Sequence, residues 1–303
     1  MASLILTGDH PAAPWLAITL LRRGVQVAWA ESLMPVPGSW WGLSHQLFDL
    51  LGETTPVWPL EICAAPLDGL GLYRAGQLAR IRAWPGALLD LTNFWHELQL
   101  EMLQLQLPRW SRAALNPGLA RLDRFQGDWC LELAYAPCSG SSACRSQERS
   151  GVLPLAGPAG LLEVFSDAGE TLALAPIGPG RIGFSYLLAP EADDAFKARL
   201  RSVLPDVPLT PADMTWRKAC FCPPRLERRD RHLRLLMPPL GLQPEALLLQ
   251  SIGWVAAQAL ARWLSEELLV LDHLAADLDS YLQKVASVLA SFVKTQNFLN
   301  ICI

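Results

Sequence analysis

The chain has 303 residues, 51% hydrophobic and 18% charged, enough apolar material to bury a sizeable core and too much for a disordered segment. Its 25 basic and 29 acidic residues leave a net charge of −4, which excludes the basic footprint of a nucleic-acid binder. Mean hydropathy is positive at +0.22, but the best uncharged run, 246–261, falls short of the roughly 20 apolar residues of a spanning helix, so no transmembrane segment is expected.

The first elements read strand, turn, helix, strand. Leu4-Ile5-Leu6 is a short apolar run ending at Gly8, a helix from Trp15 to Leu21 stops at Gly24, and Val25 to Trp29 forms the second strand. Both strands are apolar almost throughout, the pattern of a parallel sheet covered on both faces.

Residues 35–86 concentrate Pro, Gly and Trp, which predicts only short elements there, with one helix from Ser44 to Leu51. From Asp90 to Leu105, Phe94, Leu98, Met102 and Leu105 recur at helical spacing behind a candidate N-cap at Asp90 or Thr92. Strands at Leu119–Arg124 and Trp129–Tyr135, around Gln126-Gly127-Asp128, predict a hairpin.

Residues 137–150 read as an exposed loop and Val152–Leu155 as a buried strand. Short strands broken by Gly169, Pro176 and Pro179-Gly180 are expected between Glu163 and Leu188, a helix over Asp193–Val203, and a strand over Met214–Cys222. The basic run Arg225–Arg234, interleaved with Glu227 and Asp230, reads as a solvated loop. Leu233–Met237 is a further strand, leading through Pro238-Pro239-Leu240-Gly241 into a helix over Glu245–Leu264. The C-terminal segment, 266–303, carries Leu271, Leu274, Leu278, Leu282, Val285, Leu289 and Phe292 in a helical stripe. Such a stripe packs on its own domain or meets a partner protein or a membrane surface.

Seven cysteines are an odd, scattered count, and no basic residue precedes the apolar start at Met1-Ala2-Ser3-Leu4. A disulfide framework and secretion are not expected, which leaves the cytoplasm. The pairs Cys138/Cys144 and Cys220/Cys222 lack the spacing of a structural zinc site, and His45, His96, His232 and His273 lack metal-ligand spacing, so no metal is expected. Ser139-Gly140-Ser141 does not sit between a strand and a helix as a nucleophile would. No catalytic acid, base or nucleophile is legible. Trp40, Trp41, Trp58 and Trp84 suit either an apolar pocket for a hydrophobic or aromatic small molecule or the stapling of an irregular lobe.

The dinucleotide version of the βαβ unit begins its turn Gly-x-Gly-x-x-Gly and ends its second strand in an acidic residue that binds ribose hydroxyls. Here the turn is Gly8-Asp9-His10-Pro11-Ala12-Ala13 and the strand ends at Glu31. Gly8 keeps the first glycine, and Ala13 is a tolerated third. At His10 a Cβ and an imidazole replace the glycine over which a pyrophosphate approaches the backbone. His10 otherwise reads as a turn or cap residue, and Glu31 as a surface carboxylate.

From Gly8 through Ala13 to Arg22-Arg23-Gly24-Val25 and Glu31, with Asp90–His96 and Gly169–Gly183 following in order, the chain resembles the FAD-dependent aromatic hydroxylases, flavin-dependent halogenases and geranylgeranyl reductases, which share one fold. The resemblance spans roughly residues 3–265. It implies an α/β fold: a Rossmann-like FAD/NAD(P)-binding βαβ domain (1–35, 86–160 and 225–265), an inserted β-rich substrate lobe (36–85 and 161–224), and C-terminal helices (266–303). It also implies FAD as cofactor, held at the positions of Gly8, His10, Ala13, Glu31, Pro238 and Gly241.

The family's second motif, a strand ending in Gly-Asp whose aspartate holds the ribityl chain, corresponds here to Met237-Pro238 before Gly241. Proline offers neither a side-chain acceptor nor a backbone donor. Two FAD contacts over 200 residues apart are altered together. The expectation is a flavin-monooxygenase-like protein with degraded FAD motifs, acting as a non-catalytic binding or partner protein. The alternative is an FAD-dependent oxidoreductase on a hydrophobic or aromatic substrate, with atypical cofactor contacts.

Overall fold

The computed structural model describes residues 4–30, 40–44, 63–74, 77–110, 129–135, 146–154, 160–167, 170–188, 214–219, 224–229, 232–238 and 240–267. In chain order the elements are β1 (Leu4–Thr7), α1 (Ala12–Arg22), β2 (Val27–Ala30), β3 (Trp40–Ser44), β4 (Cys63–Arg74), β5 (Gln77–Asp90), α2 (Leu91–Gln104), β6 (Arg109–Trp110) and β7 (Trp129–Tyr135). They continue with β8 (Ser146–Leu153), β9 (Leu161–Asp167), β10 (Glu170–Gly178), β11 (Arg181–Leu188), β12 (Met214–Ala219), β13 (Arg225–Arg229), β14 (His232–Met237) and α3 (Pro244–Glu267).

Six strands form one sheet in the order β13-β14-β7-β1-β2-β6. β1 runs parallel to both β2 and β7, β14 parallel to β7, and β6 parallel to β2; only β13 is antiparallel. The apolar β1 is thus the central strand of a doubly wound unit, as its lack of alternation predicts. Eight strands form a second sheet, β12-β8-β11-β10-β9-β4-β5-β3, antiparallel except where β4 meets β9.

Local chemistry explains where the helices begin and end. α1 stops at Gly24, whose φ of +81° suits a residue without a Cβ. α2 starts at Asp90, whose carboxylate accepts from the backbone N–H groups of Thr92 and Asn93 at 2.8 and 3.2 Å. α1, α2 and α3 contribute Trp15, Phe94 and Trp254 to a core shared with Leu4, Leu6, Trp41, Leu131 and Leu133. A second core, including Leu70, Leu88, Leu162, Val164, Leu242 and Leu247, joins the eight-stranded sheet to the start of α3.

Several sequence expectations need correction. Residues 63–90 form two long strands rather than short pieces, because Gly and Pro here serve strand contact. A Cβ on Gly69 would sit 2.9 Å from the Arg82 carbonyl oxygen, and the β4/β5 ladder shifts register between Leu67 and Gly69. Ser44 belongs to β3, and the rest of the helix expected to Leu51 lies outside the described residues.

β7 cannot belong to the expected hairpin, since β1 and β14 occupy both of its edges. The strand predicted at Val152 begins at Ser146, inside the expected loop, and β8 belongs to the eight-stranded sheet. Pro176 does not break β10; it sits at a register shift. The basic run is a hairpin edge of β13 and β14, where Arg234 meets Glu132 at 3.1 Å, rather than a loop. The expected strand at 119–124, helix at 193–203 and C-terminal stripe, with Cys138, Cys144, Cys220, Cys222, Ser139 to Ser141, Trp58, His45 and His273, lie outside the described residues.

Candidate functional site

In a sheet ordered β6-β2-β1-β7-β14, β1 leads through α1 to β2 on one side and has β7 as its parallel neighbour on the other, and the crevice expected of such a sheet lies at the carboxyl ends of β1 and β7. Gly8, Asp9 and His10 follow β1 at that place. Gly8 has a φ of +136°, and a Cβ there would collide with the carbonyl of Leu133 on β7. The first glycine is therefore demanded by strand packing, whatever the turn once held.

The turn is stitched across the crevice. His10 N–H donates to the Leu133 carbonyl at 3.3 Å, and the Asp9 carboxylate accepts from Tyr135 N–H at 3.2 Å. At the start of α1, Ala12 N–H donates to His10 Nδ1 at 3.1 Å and Ala13 N–H to the His10 carbonyl at 2.9 Å. Pro11 and Pro14 carry no N–H. The donors that a helix N-terminus turns toward an anion are engaged within the chain.

The His10 side chain is 0% exposed. Its ring stands edge-on to Tyr135, with centroids 4.9 Å apart, and 6.0 Å from Trp254. Burial lowers its pKa to about 3, so it is neutral. Since Nδ1 accepts from Ala12, the proton is assigned to Nε2, which has no hydrogen-bond partner among the described residues.

Trp254, reaching from α3, is the hub of the wall behind this turn. It stacks on Trp41 at 5.0 Å and 17°, and meets Trp15 edge-on at 5.2 Å. Trp41 is thus a staple of the core. Ala13 is buried beneath the same wall.

On the second motif, Met237 and Pro238 are buried at the end of β14. A Cβ on Gly253 of α3 would lie 3.0 Å from Met237 Cε and 3.1 Å from Pro238 Cδ, so the helix presses directly on them. Gly241 lies farther along and lines a cleft against the eight-stranded sheet. His10 and the α3 end of the second motif therefore meet through Trp254, Gly241 stands apart at the cleft, and Glu31 lies outside the described residues.

Other candidates fall away from this crevice. His96 is exposed on α2, and His232 lies 3.5 Å from Glu132. No group of three or more metal-ligating side chains occurs among the described residues. No helix there is long and apolar enough to cross a membrane. Sequence reasoning missed Glu148 and Gln243, both buried and joined through Ser185: Glu148 sits in a stretch that reads as an exposed loop, and Gln243 in the turn that leads into α3.

No protein-family model matches the sequence, and comparison with curated proteins gives no match. Solved structures do match along nearly the whole chain. PqsL of Pseudomonas aeruginosa, described as a probable FAD-dependent monooxygenase, aligns with a TM-score of 0.66 at 14% identity over 96% of this chain and 94% of its own. The chain has the fold of the FAD-dependent monooxygenases. A thermophilic tryptophan halogenase from Streptomycin violaceusniger aligns with a TM-score of 0.69 at 11% identity, over 96% of this chain and 78% of its own. A geranylgeranyl bacteriochlorophyll reductase-like protein of Thermoplasma acidophilum aligns at 0.61 and 12%, over 97% and 83%. The expected α/β architecture with its β-rich second sheet is borne out; at these identities the monooxygenase likeness concerns the fold.

Proposed function

We propose that this chain is a flavin-monooxygenase-fold protein whose FAD motifs are degraded and which acts as a non-catalytic binding or partner protein. The observation that carries the reading is the His10 imidazole, buried over the start of α1 and accepting from Ala12 N–H. A pyrophosphate needs those donors and that volume, and an anion beside the Asp9 carboxylate meets like charge. The residues at the turn do not fit FAD held in the usual way.

Pro238 supports the same reading at the end of β14, since it is buried, offers no donor and packs against α3 at Gly253. The alternative, an FAD-dependent oxidoreductase on a hydrophobic or aromatic substrate, draws on the near-complete alignment with PqsL. It requires phosphate contacts other than those of the β1–α1 turn.

The visible absorbance of the purified protein, followed by titration of FAD with its fluorescence as readout, separates the two. A colourless protein that leaves FAD fluorescence unchanged is expected. Stoichiometric flavin, carried through purification or taken up on titration, would overturn the proposal.

A further inference from the structure

Over much of its length β5 is paired along one edge only. β4 runs beside it from Gln77 to Leu89, whereas β3 covers the other edge only from Gly86 to Asp90. Residues 77–85 therefore present an outer edge with no strand partner among the described residues. This edge is open to solvent. Leu78 is 50% and Ile81 58% exposed, and within 77–85 only Arg82 and Trp84 are half-buried.

The register of the β4/β5 ladder sorts this stretch into two unlike sides. The pairs Leu70↔Arg82, Leu72↔Arg80 and Arg74↔Gln77 set the three arginines on one side of the ribbon. The pairs Gly69↔Ala83, Gly71↔Ile81 and Tyr73↔Leu78 set Ala83, Ile81 and Leu78 on the other, which Tyr73 extends by stacking on Phe165 of β9. The register shift between Leu72 and Tyr73 is what brings Leu78 there; in an unbroken ladder residue 78 would stand on the arginine side. Charge is equally one-sided. The chain has a net charge of −4, yet between Gly69 and Leu89 it has three arginines and no acidic residue.

We infer that the outer edge of β5 accepts an extended acidic segment of another protein as an added strand. The backbone groups of the edge supply the ladder, carboxylates at alternate positions face Arg80 and Arg82, and the apolar residues between them cover Ile81 and Leu78. A second copy of this chain does not fit, because an antiparallel pair of β5 strands centred on 80–82 sets arginine against arginine. Arginines and Pro85 would also guard a bare edge against pairing, but guarding does not require Leu78 to be turned onto the side of Ile81. None of these residues belongs to the β1–α1 turn, so the inference goes beyond the reading of that turn and holds with or without flavin.

The probe is a short fluorescent peptide of alternating glutamate and valine, titrated with the whole chain and followed by anisotropy. Binding is expected at low salt and should weaken as salt is raised. A lysine–valine peptide should not bind, and a peptide with the same glutamates and valines in separate blocks should bind more weakly. Arg80→Glu, which turns attraction across one pair into repulsion, should weaken binding about tenfold. Ile81→Ser should weaken it through the apolar side. Both positions are exposed, so the melting temperature should be retained. No binding, equal binding of the blocked or lysine peptide, or unchanged affinity in both variants would overturn the inference. So would a dimer in sedimentation that Ile81→Ser dissolves, since the edge would then belong to a second copy.

Discussion

His10 makes the stability of this protein depend on pH in a way that can be worked out. The unfolded chain protonates this imidazole near its ordinary value of 6.5, whereas burial holds the folded form down to about 3. Between those values the unfolded state binds more protons, so stability falls as pH drops through 6.5 toward 3. At 1.36 kcal/mol per pKa unit, the loss is about 2 kcal/mol by pH 5 and approaches about 5 kcal/mol below pH 3. Two kcal/mol is a sizeable share of the roughly 5–15 kcal/mol that holds a domain folded. The variant to compare is His10→Asn, whose Oδ1 stands where Nδ1 does and still accepts from Ala12 N–H, but does not titrate. Urea unfolding at about pH 7.5 and about pH 5 should give the wild type a loss about 2 kcal/mol larger than the variant's. Equal losses in the two proteins would refute the buried, neutral imidazole.

Three further substitutions test the surrounding frame. Gly8→Ala forces a side chain into the Leu133 carbonyl at a φ of +136°, and loss of soluble folded protein, or several kcal/mol in urea unfolding, is expected. Asp90→Ala removes the acceptor for Thr92 and Asn93 and should cost about 1 kcal/mol, measured the same way. Burial, with Glu132 nearby, pushes the Cys130 thiol up to about 12, so Cys130→Ser should leave the number of thiols titrated in the native protein unchanged and lower it by one after denaturation.

The parts of the fold legible in the sequence are those where one local signal acts alone. The apolar β1, the stop at Gly24 and the Asp90 cap each follow from a short stretch, and each stands within a few residues of its expected place. The 63–90 pair was illegible because Gly69, Gly71 and Pro85 are breakers in an isolated chain, and only the approach of β4 to Arg82 explains why a strand uses glycine there. Glu148 was hidden for a similar reason. Its neighbours in sequence are polar, and the partners that bury it, Ser185 and the Gln243 turn, are supplied by β11 and the start of α3. At the turn, the departure from the Gly-x-Gly pattern was readable at His10, but not what the imidazole does there. That needed the position of Trp254, which comes from the far end of the chain.

The space at the start of α1 sets two demands at once. The first turn of α1 has an N–H to satisfy, and the space between Tyr135 and Trp254 must be filled to avoid a void. An aliphatic side chain meets only the second demand, leaving Ala12 N–H buried and unpaired. An aspartate meets the first as a good cap, but places a desolvated carboxylate against aromatic rings beside Asp9. A neutral imidazole meets both: Nδ1 is an acceptor without charge, and the ring has the shape to stand edge-on to Tyr135. Its remaining cost is the unpaired Nε2–H. Proline at 238 acts in the same direction at the end of β14, since it leaves no N–H to be satisfied where α3 closes down at Gly253. If the crevice holds no cofactor, as proposed, a histidine that caps, fills and stays neutral is the residue that keeps the turn packed, whereas a glycine lost by drift carries no such requirement on its replacement.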